Sequence, residues 1–188
     1  MLVLGLDVSL THTGWVIANC DSDDRLFLKD CGVIESAPSP KKEKISATID
    51  GVRRCSEIHT ALATVFKEHK PLVVCMESMS WPRNAATATK MALAWGAVAP
   101  LLHDRPIIAV GPQQIKKLAS GGRSDSKGEV EAAVKKALKH SKKSIPLLES
   151  KLPKASSREH CWDALGSILA CQQTERWRLV RAGHFQKP

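Results

Sequence analysis

The chain has 188 residues and a formal net charge of +9, which comes from 28 Lys and Arg against 19 Asp and Glu. This length can bury the core of one domain, and a composition of 43% hydrophobic and 25% charged residues excludes wholesale disorder. The longest apolar stretch, 91–102, falls short of the roughly 20 residues that a membrane-spanning helix needs. Asp7 interrupts the apolar N-terminus, which also lacks the basic flank of a signal peptide, so no membrane association is expected.

Short apolar and β-branched runs predict five strands, which are expected at 2–8, 13–19, 26–34, 71–77 and 106–110. Helical spacing and capping patterns predict helices over 45–66, 84–102 and 112–119, and two more that begin near Lys127 and Ser157. Two segments that contain prolines and lysines, 36–44 and 141–154, are expected to be loops. Strands followed by alternating helices and strands indicate an α/β layer fold with one central mixed sheet.

The cysteines are scattered along the chain without a CxxC pair, at positions 20, 31, 55, 75, 161 and 171. This scatter argues against a zinc site and is typical of reduced thiols, so we expect a cytoplasmic protein. The spacing alone leaves open a disulfide between two of these residues.

The positive charge is concentrated in one part of the chain. Segment 116–158 has twelve Lys and Arg against four acidic residues, so +8 of the formal charge lies there. Such a block is typical of a surface that binds a polyanion. A solvated helix face has the same composition, and charge alone does not separate the two interpretations.

Three carboxylates and a histidine stand out as candidate metal ligands. Asp7 and Glu77 each lie at the end of a predicted buried strand, where an unpaired charge is costly. Asp163 and His160 are three residues apart on the last predicted long helix and therefore share one face. Together they form an oxygen-rich set that suits Mg²⁺ or Mn²⁺. Each residue alone also has a simpler interpretation, as a turn residue, an exposed strand end or a polar position on a helix.

Four ordered blocks of the sequence resemble the RuvC family of Holliday-junction resolvases. The first is 5–17, with Asp7 followed by Gly14, and the second is 74–77 with the helix start at 84–87. The third is 113–130, and the fourth is 160–165, with His160 and Asp163. The blocks span about residues 1–172. The chain departs from the family where Val8 and Ser9 follow the first Asp in place of the usual Pro-Gly or small residues.

This resemblance implies an RNase H-like fold, with a five-stranded mixed sheet flanked by helices on both faces. It implies a nuclease domain over 1–175 with a tail at 176–188. Members of the family are homodimers that cut a four-way DNA junction with paired symmetric nicks. The helix at 84–102 is apolar around much of its circumference, and burial under the chain's own loops or under a partner copy would explain this pattern equally well. The resemblance favours the partner copy, on the side that faces away from the sheet.

By the same resemblance, Asp7, Glu77, His160 and Asp163 are the expected catalytic residues and metal ligands. They would hold two Mg²⁺ ions per active site, with Mn²⁺ as the alternative, for in-line hydrolysis of a phosphodiester.

The resemblance also implies positions that contact DNA. Lys116 and Lys127 match basic positions of the family, and Arg123 lies on the intervening loop. The family's aromatic residue that contacts the junction would fall on Ser80, and Trp81 beside it is a candidate substitute. Trp81 is equally compatible with capping the core at the strand end, and both lysines with solvent-facing helix positions.

Several alternative functions remain at this stage. The nearest is an RNase H-like nuclease that acts on other branched DNA or on RNA–DNA hybrids. A junction-binding protein without catalysis would need the basic block but not all three carboxylates. An actin-like ATPase would need further glycine-rich phosphate loops, and none stands out in the sequence.

Overall fold

A computed structural model of the chain describes residues 1–79, 84–120 and 128–184. Five strands form one sheet in these ranges: β1 (Leu2–Asp7), β2 (His12–Cys20), β3 (Leu26–Glu35), β4 (Val73–Glu77) and β5 (Ile107–Val110). Their order across the sheet is β3-β2-β1-β4-β5, with antiparallel pairing among β1, β2 and β3 and parallel pairing of β4 with β1 and β5. The predicted five-stranded mixed sheet is confirmed.

The helices lie on both faces of this sheet, as predicted. In chain order they are α1 (Ala47–His69), α2 (Ala85–Val98), α3 (Pro112–Ser120), α4 (Gly128–Ala137), α5 (Ser144–Lys151), α6 (Ala155–Gln172) and α7 (Glu175–Arg181). Helices α1 and α2 cover one apolar layer, whereas α6 lies centrally on the other face with α3, α4, α5 and α7 around it. Within the described ranges, no helix is long and apolar enough to cross a membrane.

Local sequence signals explain where the two helices of the first face begin. The Ser46 side chain accepts the N–H of Ile49 at the start of α1, and the Asn84 side chain accepts the N–H of Ala86 at the start of α2. The apolar positions predicted for α1 face the sheet only in its second half, where Ile58 is fully buried, whereas Ile49 and Val52 near its start are exposed. Short polar side chains and periodic apolar positions therefore account for this layer.

Segment 141–154, predicted to be a loop, instead contains the helix α5, and that prediction is wrong. Pro146 lies in the first turn of α5, where a missing N–H breaks no intrahelical hydrogen bond. Leu148 is completely buried, and the Ser144 hydroxyl accepts the N–H of Leu28 from β3. Packing against the sheet thus stabilises a helix whose proline and lysine content indicated a loop.

The division between a domain at 1–175 and a tail at 176–188 stays a prediction. Helix α7 begins at the proposed boundary, and its Trp177 is only 1% exposed within the same core as β2 and α6. The Trp177 indole N–H donates to Asp24 Oδ1 at 3.1 Å, which connects α7 to the turn between β2 and β3.

Two glycines allow α6 to lie directly on the sheet. A Cβ on Gly5 would come within 2.5 Å of the Ala164 carbonyl oxygen, and a Cβ on Gly14 would collide with the backbone of His160. Gly14 is paired with Asp7 across β1 and β2. The absence of two side chains therefore sets the distance between α6 and the end of β1.

We expect Gly14→Ala to lower the free energy of unfolding by about 1–3 kcal/mol, because the added methyl group displaces α6 from the sheet. Urea unfolding of the variant measures this loss. Gly128→Ala is the matched control, because a Cβ there meets nothing within 4 Å. Equal stability of the Gly14 variant and the parent would contradict the close contact.

Candidate active site

The candidate site lies at the carboxyl edge of the two central parallel strands. Asp7 ends β1 and Glu77 ends β4, and the register pairs the preceding residues, Leu6 with Met76. Helix α6 crosses this edge and carries His160 and Asp163 on one face. The structure therefore brings all four predicted residues to one region.

A direct contact joins the first strand to α6. His160 Nδ1 lies 2.8 Å from Asp7 Oδ2, and the two side chains are 26% and 25% exposed. Since a carboxylate only accepts, the Nδ1–H donates. This hydrogen bond raises the pKa of His160, because it favours the protonated ring. Only Nε2 carries a free lone pair in the neutral ring that donates from Nδ1.

A second histidine contacts the first, and the sequence analysis did not single it out. The ring of His12 stacks on that of His160, with centroids 5.1 Å apart and planes 9° apart. The His12 backbone is fixed by Ser9, whose hydroxyl accepts the His12 N–H and donates to the His12 carbonyl. Ser9 therefore stabilises the turn that joins β1 to β2. The sequence did offer one signal for His12, because it lies in the predicted hairpin turn that follows the candidate ligand Asp7.

The carboxyl groups of the site influence one another. Burial raises the pKa of Asp163 to about 6, and the negative charges of Asp7 and Glu159 contribute to the same increase. Burial and then the charge of Asp7 raise the pKa of Glu77. The three carboxyl groups therefore form a region of concentrated negative charge.

No group of three or more His, Cys, Asp or Glu in ranges 1–79, 84–120 and 128–184 has the arrangement of a ready metal site. One oxygen of Asp7 is engaged by His160 instead. The donors nevertheless fit a hard divalent cation in kind, because they are carboxylate oxygens with one imidazole. Burial, and then the charge of Asp7, raise the pKa values of Glu77 and Asp163, and a bound cation would favour the charged carboxylates instead.

The structure describes one of the four residues that were predicted to contact DNA. Lys116 is exposed on α3, and its positive charge partly opposes the increase in the pKa of Glu77. Lys116 therefore lies on the side of the fold next to the candidate site. Trp81, Arg123 and Lys127 lie outside the described residues.

The raised pKa of Asp163 predicts a pH-dependent effect of Asp163→Asn on stability. A raised carboxyl pKa contributes stability that is complete below its usual value of 3.8 and is lost as pH rises through about 6. At pH 8 the charged Asp163 is therefore destabilising, and the variant should be more stable than the parent by about 1–2 kcal/mol after allowance for solvent screening. The difference should shrink towards pH 4.

Urea unfolding at pH 8 and pH 4, without divalent metal, measures this difference. Glu68→Gln removes an exposed carboxylate on α1 and serves as the control, for which little change is expected at either pH. A variant less stable than the parent at pH 8 would show that Asp163 is stabilised, not strained, by its surroundings.

Comparison with known proteins places this site in a family. The model of the family described as "Crossover junction endodeoxyribonuclease RuvC" matches residues 3–151, which include Asp7 and Glu77 and end before α6. The protein of that name from Afipia carboxidovorans is 27% identical over 71% of this chain and 73% of its own length.

Solved structures extend the likeness. Thermus thermophilus RuvC, in complex with a Holliday junction substrate, has a TM-score of 0.67 and 27% identity, and the match covers 90% of this chain and 92% of that one. The yeast mitochondrial Holliday junction resolvase Ydc2 has a TM-score of 0.64 at 12% identity, over 97% of this chain and 80% of that one, and shows the shared fold alone. From the family match, the strand order and the acidic edge together, the chain belongs to the RuvC family of crossover junction endodeoxyribonucleases.

Proposed function

We propose that the chain is a structure-selective endonuclease that resolves four-way DNA junctions by paired symmetric nicks. The observation that carries this proposal is the meeting of Asp7, Glu77, Asp163 and His160 at one edge of the sheet, in a chain of the RuvC family. A relative in this family has been solved with a Holliday junction substrate, which supports four-way DNA as the substrate of this chain.

The four residues are the proposed ligands of divalent metal, Mg²⁺ or Mn²⁺, with two ions per site. When bound, such ions lower the pKa of an attacking water and stabilise the leaving oxygen of a phosphodiester. The chain's own part is to concentrate negative charge at the edge of β1 and β4. It also orients Asp7 through the His160 hydrogen bond and leaves Nε2 of the neutral imidazole free to bind.

Protons compete with the metal for this site. The pKa of Asp163 is raised to about 6, and the pKa of His160 is raised above its usual 6.5. Because ligands must be deprotonated, metal affinity should rise with pH through this range. The site is therefore expected to work at neutral or alkaline pH and to fail in mild acid.

Contacts to the DNA backbone are proposed for Lys116, Arg123 and Lys127, and stacking on a base at the crossover for Trp81. Lys116 supports this because its charge reaches Glu77 at the candidate site. The other three remain predictions from the sequence.

The direct test is cleavage of labelled four-way junction, flap, linear duplex and RNA–DNA hybrid with Mg²⁺. We expect symmetric paired nicks on the junction. Asp7→Asn, Glu77→Gln and Asp163→Asn should each abolish cleavage yet retain junction binding, because each removes a charge and preserves shape. His160→Ala should weaken cleavage less uniformly, because water can replace a neutral ligand.

The matched control is Asp30→Asn, a carboxylate of similar burial on the edge strand β3, which should cut normally. Cleavage that persists in EDTA would contradict metal catalysis. Normal turnover by any of the three site variants would contradict the assignment of that residue. Faster cleavage of the RNA–DNA hybrid than of the four-way junction would favour the RNase H-like alternative.

We also propose that two copies associate through the first helical face. Helices α1 and α2 pack together, and a groove of about 620 Å³ between them is lined by apolar and small side chains, which include Val52, Leu93 and Gly96. Ile49 and Val52 on α1 are 62% and 61% exposed. An unpartnered apolar surface next to a groove is typical of an isologous interface.

We expect a dimer at micromolar concentration without DNA, measured by light scattering. Val52→Glu should convert it to a monomer, because a charge would be buried at the contact. Leu72→Glu is matched in exposure at 61% but lies outside the groove, and should remain a dimer. A monomeric parent protein would contradict this proposal.

A further inference from the structure

A group of lysines lies at the turn between α4 and α5, far from the candidate site. Four of the eight residues in 136–143 are lysines, and all four side chains are exposed: Lys136, Lys139, Lys142 and Lys143. Segment 136–143 is called the lysine turn below. No acidic residue occurs between Glu131 and Glu149 in the sequence.

The charges of the lysine turn are not neutralised within the described part of the chain. The neighbouring Lys135 pairs with Glu131 at 2.7 Å, and Lys151 pairs with Asp30. None of the four lysines of the turn has an ion pair with a described residue. Four like charges within eight residues repel one another, so the turn gains from an anionic partner.

The other side chains of the turn fix it to the sheet. His140 Nε2 donates to the Leu26 carbonyl at 2.9 Å, and its ring meets the edge of Phe27 with centroids 4.9 Å apart. The Ser141 and Ser144 hydroxyls are 2.6 Å apart, and Leu138 is 1% exposed. The backbone that carries the lysines is therefore already ordered, which lowers the entropic cost of binding.

The register of the sheet gives the distance of the turn from the site. Asp7 is paired with Gly14 and Gly14 with Val33, whereas the turn contacts the beginning of β3 at Leu26. Leu26 and Val33 are seven residues apart on β3, which corresponds to about 23 Å at ~3.3 Å per residue. The lysine turn and the candidate site therefore lie at opposite ends of the sheet.

Both regions nevertheless belong to the same face. The face covered by α6 also holds α3, with Lys116, and α4, which ends at the lysine turn. Helix α4 begins at Gly128, directly after the segment predicted to contact DNA. A rod-like polyanion that leaves the site along this face would reach the turn.

We propose that the lysine turn binds the phosphate backbone of one duplex arm of the substrate, roughly 7 base pairs from the scissile phosphate at ~3.4 Å per base pair. This rests on the proposed function. Lysine acts as a point charge towards phosphate, so the contact is independent of sequence and contributes affinity by releasing counterions. A DNA arm is favoured over an acidic protein because it is continuous with the substrate of the same face.

The test compares the binding of junctions with arms of about 5 and about 15 base pairs, by fluorescence anisotropy without divalent metal. The parent should bind the long-armed junction more tightly. Lys139→Ser/Lys143→Ser should weaken long-arm binding roughly tenfold or more and lower the log–log salt slope by about two, because about two phosphate contacts are lost. Binding of the short-armed junction should not change.

The control is Lys67→Ser/Lys70→Asn, which removes two exposed lysines at the end of α1, on the opposite face of the sheet. Asn suits position 70 because its φ is 48°. This variant should bind both junctions like the parent, and thermal melting confirms that both variants are folded.

Each other outcome overturns the proposal. Equal weakening of short- and long-armed binding by the Lys139/Lys143 variant, or equal effects of both variants, would show a general charge effect. Equal affinity of the parent for both arm lengths would show that no contact exists beyond 5 base pairs. Parent protein that neither binds nor cuts any junction would refute the proposed function itself, and the arm contact with it.

Discussion

The candidate site depends on how closely α6 approaches the sheet. At Gly5 and Gly14 there is no room for a Cβ, because backbone atoms of α6 occupy that space. Since Gly14 is paired with Asp7, the same contact that seats the helix brings its His160 within hydrogen-bond distance of the strand end. A contact between backbones thus holds the side chains of Asp7 and His160 near each other, although they come from distant parts of the chain. Because a backbone has no rotamer to change, this contact strongly restricts the distance between the two side chains.

The charge of the site is arranged at the expense of stability. Glu77 and Asp163 are partly buried near Asp7, and burial with like charge raises the pKa of both carboxyl groups. Elsewhere the fold avoids this conflict, as at Asp30, which is paired with Lys151 and lies 3.2 Å from His69. A cluster of carboxyl groups whose pKa values are raised by burial and like charge is expected where a cation is to be bound, and not where the fold only needs support.

The sequence was most informative where local rules apply. The three-residue spacing of His160 and Asp163 predicted that both face one site, because i, i+3 positions share a helix face. That Asp7 and Glu77 join them was implied by the resemblance to the RuvC family, and the structure gives the reason: β1 and β4 are parallel and end at one edge. The sequence failed at α5, whose burial of Leu148 depends on a partner strand more than a hundred residues away. The stack of His12 on His160 depends likewise on tertiary packing, and no periodicity reports it. The roles of these residues in catalysis remain proposals.

The bond between Trp177 and Asp24 has a consequence for the order in which the protein is built. The turn that joins β2 to β3 leaves the ribosome long before its partner does, because Asp24 is bound by a residue made about 150 positions later. Helix α6, which covers β1 and β2, is synthesised almost as late. The first three strands must therefore wait with one apolar face uncovered, and non-local closure of this kind slows folding. During that interval the nascent sheet is expected to rely on protection by the ribosome or chaperones.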